Sequence, residues 1–144
     1  MTEWPRALLL DTHAAIWLAE GQLDEETVEI VIHAGLADGV YVSPISAWEV
    51  GLLARPKAGG RPNVEFRPDP LGWFARLMAQ PIIRPAPFTP SIAITASFLP
   101  PPFHNDPADR LLVATAREMN IALMTRDSGI LAYGEAGNVK TQRC

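Results

Sequence analysis

Apolar positions along the chain fall into runs of three or four residues that alternate with longer stretches of helical period. Leu8-Leu9-Leu10 stops abruptly at Asp11, and Thr12 opens a helical pattern through Ile16, Trp17 and Glu20. This is the signature of a buried strand feeding a helix, with Asp11 at the strand's C-terminal end. Asp24, Glu25 and Glu26 place acids where a helix N-terminus attracts negative charge. They predict a second helix that runs to Asp38-Gly39, where glycine supplies the stop. Val40-Tyr41-Val42 is a second β-type run. Ser43-Pro44 offers a cap followed by proline at the first helical position, and so begins a third helix. That helix carries Ile45, Trp48, Glu49, Leu52 and Leu53.

From Arg55 to Pro70 the pattern dissolves into Pro, Gly and Arg, a long loop of the kind that often serves function. Leu71 to Ala79 is helical in pattern, Ile82-Ile83 suits a short strand, and Ser91 to Leu99 suits another helix. Pro100-Pro101-Pro102 cannot continue it. Asp106-Pro107 starts the clearest helix, through Leu111, Leu112, Ala114 and Met119, and Ile121 to Thr125 is again strand-like. Strands alternating with helices predict an α/β fold, with a mostly parallel central sheet flanked by helices on both faces. No repeat or linker divides the chain, so a single domain over 1–144 is expected.

Composition agrees with a packed core and excludes disorder, since 48% of the 144 residues are hydrophobic and 19% charged. The only cysteine is Cys144, which excludes an internal disulfide framework and a Cys-based zinc site. A reducing compartment is the natural setting. Ala7-Leu8-Leu9-Leu10 is too short for a secretory core, and no apolar run approaches the roughly 20 residues that cross a bilayer. A soluble, cytoplasmic protein with no membrane partner is the expectation.

Four carboxylates stand out by position. In open α/β sheets, ligands bind beyond the C-terminal ends of the strands. Asp11 and Asp127 each follow a strand, Glu49 lies in the first turns of the helix after Val42, and Asp109 lies in the first turn of the helix after Asp106. Acids from distant parts of the chain therefore meet near one edge of the sheet. Such a cluster repels itself unless a cation joins it, and Mg²⁺ or Mn²⁺ suits oxygen ligands. The three histidines, His13, His33 and His104, have no zinc-type spacing. Plainer roles stand beside these. Asp106 suits a helix cap whose side chain accepts the Asp109 amide. Asp109 could simply favour the helix dipole, Asp127 could be a turn or cap residue, and Glu49 could be a solvated position. Asp11 is the hardest to explain in this way, because a carboxylate that closes a strand of leucines is costly near a core.

The formal net charge is −4, which taken alone argues against nucleic acid, but it is unevenly spread. Residues 1–54 hold one Arg against nine acids, whereas residues 55–84 hold six basic residues against two acids. Arg55, Lys57, Arg61 and Arg67 in this basic stretch could meet a phosphate backbone or could equally form a solvated loop. Arg110 could orient Asp109 or hold phosphate, and His104 is a loop residue beside the prolines. Trp17, Trp48 and Trp73 are core or interface anchors, and the helices that carry them could offer a groove to a partner.

Leu8-Leu9-Leu10-Asp11-Thr12-His13, Ser43-Pro44-Ile45-Ser46-Ala47-Trp48-Glu49, Asp106-Pro107-Ala108-Asp109-Arg110-Leu111-Leu112 and Thr125-Arg126-Asp127 together resemble the four acidic blocks of the PIN domain. The likeness is greatest to the VapC-type toxins and runs from about Ala7 to Lys140. It implies a metal-dependent endoribonuclease, usually homodimeric and inhibited by a cognate antitoxin. Asp11, Glu49, Asp109 and Asp127 would then be the catalytic and metal-holding acids. With Mg²⁺ or Mn²⁺, they would direct in-line attack of water on an RNA phosphodiester, leaving 5′-phosphate and 3′-hydroxyl ends. Asp106, Thr12 and Thr125 would support or cap them, and Arg110, His104, Arg55 and Lys57 are candidate substrate contacts. The sequence departs from the pattern twice: Ala108 stands where a bulky aromatic is common, and the 56–70 stretch is longer than typical. Two divalent ions would also bring the net charge close to zero, so the acidity no longer argues against RNA.

Competing classes fit less well. A phospho-receiver domain would need an acceptor Asp where Val42 is followed by Ser43-Pro44, and a haloacid-dehalogenase-type phosphatase would need an Asp where His13 stands. A PIN-type nuclease of RNA processing or DNA cleavage, and a catalytically silent PIN-like binding module, are the alternatives that keep the same residues.

Overall fold

A computed structural model describes residues 3–144. Five short strands, β1 (Ala7–Leu10), β2 (Gly39–Val42), β3 (Ile83–Pro85), β4 (Ala122–Thr125) and β5 (Thr141–Arg143), form one sheet in the order β3-β2-β1-β4-β5. Every pairing is parallel. Seven helices connect and cover them: α1 (Thr12–Ala19), α2 (Glu25–Leu36), α3 (Pro44–Ala54), α4 (Pro70–Met78), α5 (Pro90–Ser97), α6 (Pro107–Met119) and α7 (Ser128–Glu135). Among the described residues, no helix is long and apolar enough to cross a membrane.

The leucine run explains the layering. Leu8, Leu9 and Leu10 are all fully buried, as a strand covered on both faces requires. Because side chains alternate across a strand, Leu8 and Leu10 enter one core and Leu9 the other. The first core gathers Ala14, Ala15 and Ile16 of α1, Ile30 and Val31 of α2, and Trp73 and Leu77 of α4. The second gathers Ile92 and Ala96 of α5, Leu112 and Val113 of α6, and Ile130 and Tyr133 of α7. The expected α/β layering is therefore present, and the sheet is wholly rather than mostly parallel.

Side chains cap the start of every helix. Asp11, Asp24, Ser43, Asp69, Thr89, Asp106 and Asp127 each accept a backbone N–H from the first turn. Each cap satisfies a donor that would otherwise lack a partner. Asp106 accepts the Asp109 amide at 2.9 Å, the capping contact its position predicts.

Three details differ from the expectations. Gly39 does not stop α2, which ends at Leu36. It opens β2 instead, with φ at +112°, in the left-handed region that favours glycine. Helix α7 and strand β5 follow Asp127, where the pattern offers no clear element. The basic stretch is pinned rather than free: Pro56 and Pro62 form an antiparallel bridge, the Val64 amide donates to Leu53, and Phe66 packs edge-on against Trp73 at 4.9 Å. Trp73 is 7% exposed and its indole N–H donates to Glu20, so it is a core anchor, as expected, and it also lines a groove with Glu20, Arg76 and Leu77. Trp48, at 54% exposure, does face solvent.

Candidate metal centre

The strand order places one crevice at the end of the sheet. The chain runs from β1 outwards through β2 to β3, then returns to the other side of β1 as β4. The switch point therefore lies between the C-terminal ends of β1 and β4, where open α/β sheets bind ligands. Asp11 follows β1 directly, and its amide donates to Met124 of β4 at 3.1 Å. Asp127 stands two residues beyond β4, capping α7. Helix α3 brings in Glu49 and α6 brings in Asp109.

These four acids act on one another. Asp109 is pushed up to about 7, first by burial and then by repulsion from Asp106, Asp127 and Glu49, with His104 opposing. Burial also raises Asp11, against a hydrogen bond from Thr125 and the Ala14 amide, with Asp127 adding to the rise. Glu49 is raised by burial and by Asp106 and Asp11, while Thr12 and His13 pull it down. Three acids that resist ionisation in one place form a donor set whose charge a cation would offset.

One oxygen of each carboxylate is engaged by the protein. Asp11 Oδ1 accepts the Ala14 amide at 2.7 Å, and Asp127 Oδ2 accepts the Ile130 amide at 2.8 Å. Glu49 Oε1 accepts the hydroxyl of Thr12, whose oxygen also meets Ser46 Oγ at 3.0 Å. Asp109 Oδ2 lies 3.3 Å from His104 Nε2. Each side chain is thereby oriented by one oxygen, and the second oxygens of Glu49, Asp109 and Asp127 accept no protein hydrogen bond among the described residues. Hard oxygen donors, fixed in orientation and mutually repelling, fit Mg²⁺ or Mn²⁺.

The supporting residues divide. Thr12 is buried and holds Glu49; Thr125 is buried, accepts the Asp127 amide at 3.0 Å and bonds to Asp11. Arg110 does not reach Asp109. Its Nε donates to Ala96 O and its Nη1 to His104 O, so it braces the proline-rich loop. Arg55 and Lys57 lie past the end of α3, about 9 Å or more along its axis from Glu49. The principal charges acting on Asp11, Glu49 and Asp109 are other carboxylates, His13 and His104, with no lysine or arginine among them.

His104 occupies a more central position than its loop setting suggests. Its ligating nitrogen and one oxygen each from Asp109 and Asp127 all lie within 4.8 Å of one another. Ser46 is a further contributor that no motif singles out, although it sits one helical turn before Glu49 on the same face.

Comparison with known proteins identifies the family and the fold. Residues 8–136 match the PIN domain family. Ribonuclease VapC22 of Mycobacterium tuberculosis (strain ATCC 25618 / H37Rv) is 37% identical over 128 residues, spanning 88% of this chain and 91% of that protein. Among solved structures, VapBC2 from Rickettsia felis bound to a promoter DNA fragment superposes with a TM-score of 0.65 over 95% of this chain and 98% of that one, at 12% identity. FitAB bound to the IR36 DNA fragment gives 0.54 over 94% of each chain, at 20% identity. At those identities the structural likeness establishes the fold, whereas the family match and the mycobacterial relative establish kinship. The chain belongs to the PIN-domain family, in its VapC-type branch.

Proposed function

We propose that this protein is a divalent-metal-dependent endoribonuclease and the toxin of a VapBC-type pair. What supports the reading is that Asp11, Glu49, Asp109 and Asp127 act on one another electrostatically, with one oxygen each of Asp109 and Asp127 close enough to share an ion. The kinship with a mycobacterial ribonuclease supports RNA as the substrate.

In this reading, Asp11, Glu49, Asp109 and Asp127 hold one or two Mg²⁺ or Mn²⁺ ions. When bound, the metal would lower the pKa of water and offset charge developing on the phosphodiester. The chain's own residues do the positioning. Thr12 and the Ala14 and Ile130 amides fix the carboxylates, so little reorganisation is needed on binding. One of the four carboxylates would also take the proton of the attacking water. The expected products carry 5′-phosphate and 3′-hydroxyl ends.

The same reading includes a cognate antitoxin and a homodimer. Trp48, Ile94 and Phe98 leave large apolar side chains exposed, surface of the kind that partners cover. The cytoplasm is the proposed compartment, where RNA is at hand and Cys144 stays reduced. The decisive experiment is end-mapping of cellular RNA after brief expression of the wild type and of Asp11→Asn. Discrete new 5′ ends confined to the wild type are expected. Identical end maps would overturn the assignment.

A further inference from the structure

His104 lies close enough to two carboxylates to be a metal ligand, and its surroundings decide against that role. The Asp106 amide donates to its Nδ1 at 3.3 Å. A ring nitrogen that accepts a hydrogen bond carries no proton, so in the neutral ring the proton sits on Nε2. That nitrogen faces Asp109 Oδ2 at 3.3 Å and Asp127 Oδ2 at 3.8 Å. A metal bound at Nε2 would require a proton on Nδ1, pointing into the Asp106 N–H.

The ring is also held in place from several sides. Phe103 lies against it at 4.3 Å and stacks in turn on Tyr133 at 4.4 Å. The Tyr133 hydroxyl donates to Pro100 O at 2.7 Å, and Arg110 donates to the His104 carbonyl at 3.2 Å. On the open side, Gly129 supplies the clearance. A Cβ there would come within 3.0 Å of His104 Cδ2 and 3.1 Å of Asp127 Oδ2. Helices α6 and α7 thus build a seat for an imidazole whose Nε2 edge faces two acids at ion-pair distance.

We propose that His104 is a positioning residue that fixes the Asp109 and Asp127 carboxylates for the metal through its Nε2–H, without entering the coordination sphere. The proposal rests on the metal-centre reading above and deepens it, because it leaves the coordination sphere all-oxygen. Outer residues that orient metal-ligating side chains typically contribute about 10–100-fold in metal affinity.

The test uses Mn²⁺ alone, without RNA. Its affinity is measured by titration of the free-ion electron paramagnetic resonance signal, and bound nitrogen by electron spin-echo modulation. The wild type should bind Mn²⁺ with no strong coupling to a directly bound imidazole nitrogen. His104→Ala should weaken binding about 10–100-fold, with an unchanged metal-free melting temperature. His104→Gln, whose amide N–H reaches about as far, should recover most of that loss. If His104→Ala does not fold, the wild-type nitrogen coupling and His104→Gln still decide. A directly bound nitrogen that disappears in His104→Gln would overturn the proposal. So would unchanged affinity in His104→Ala, or a glutamine variant as weak as the alanine one. Absence of any Mn²⁺ binding by the wild type would instead remove the metal-centre reading itself.

Discussion

Thr12, the first residue of α1, donates its hydroxyl to Glu49, on the second turn of α3, and so ties two helices together at the mouth of the crevice. The bond orients one Glu49 oxygen. Thr12→Val keeps the side-chain volume and removes the donor, leaving Glu49 in a partly buried place with one interaction fewer. Mn²⁺ affinity should fall about tenfold, in the range for residues that orient ligands, and Thr12→Ser should retain it. Isothermal titration of the two variants provides the check, and equal affinities would mean that Glu49 needs no orientation.

Asp11→Asn should abolish RNA cleavage while leaving the fold intact. Asparagine caps helices about as well as aspartate, so the Ala14 contact survives. It also removes a carboxylate whose ionisation burial opposes. The metal-free melting temperature should therefore equal or exceed that of the wild type. Loss of activity accompanied by a large drop in melting temperature would mark Asp11 as structural.

Acidity should stabilise the metal-free protein across a defined window. Asp109 titrates at about 7 in the folded state against 3.8 as its ordinary value, and Asp11 and Glu49 are raised as well. Between those values the folded chain binds more protons than the unfolded one, so stability falls as pH rises from about 4 to about 7. Urea denaturation in chelator, followed at pH 5 and pH 7.5, should give the higher midpoint at pH 5. The comparison with Asp109→Asn isolates the Asp109 contribution, because the variant should lose much of the difference.

Metal should reverse that trend. Mg²⁺ or Mn²⁺ competes with protons for the same oxygens, and a ligand bound only by the native state raises its melting temperature. At 100 times the dissociation constant the gain is about 2.7 kcal/mol. The upward shift should be larger at pH 7.5 than at pH 5. A shift independent of pH would place the ion away from Asp109.

The two tryptophans that the sequence treats alike should behave differently. Trp73→Ala removes a buried ring that packs on Phe66 and should cost about 3–5 kcal/mol. Trp48→Ala removes an exposed ring. The cost to stability there should be small, within about 0.5 kcal/mol. Its effect should appear instead in sedimentation or antitoxin binding, if that face is covered by a partner.

The contrast shows what a sequence pattern can and cannot carry. Asp11, Asp109 and Asp127 are legible as candidates because each stands where a strand ends or a helix begins, and Glu49 because it lies two turns into the helix that follows β2. Asp106 is legible as a cap for the same reason. His104 is not, since its place depends on a ring stack from Phe103 to Tyr133, far along the chain, within a loop that has no period. Helix α7 escapes because it spans eight residues with glycines at 129 and 134, and β5 because Thr141-Gln142-Arg143 is a polar edge strand with no alternation to detect. Trp73 is ambiguous in sequence because helical spacing says which residues share a face, and tertiary packing decides which face is covered.

Asp11 and Asp127 hang from neighbouring parallel strands, and hydrogen-bonded strands run about 4.8 Å apart. The strand ends from which the two acids depart are thus spaced by a backbone repeat that no side chain can stretch. The sheet works as a ruler for the two acids, while Glu49 and Asp109 are brought to it by helices that can shift with their packing. Substitutions in the two cores should therefore disturb the helix-borne half of the centre before the strand-borne half. A weakened variant of this protein would keep one fixed edge of its site and lose the calibration of the other.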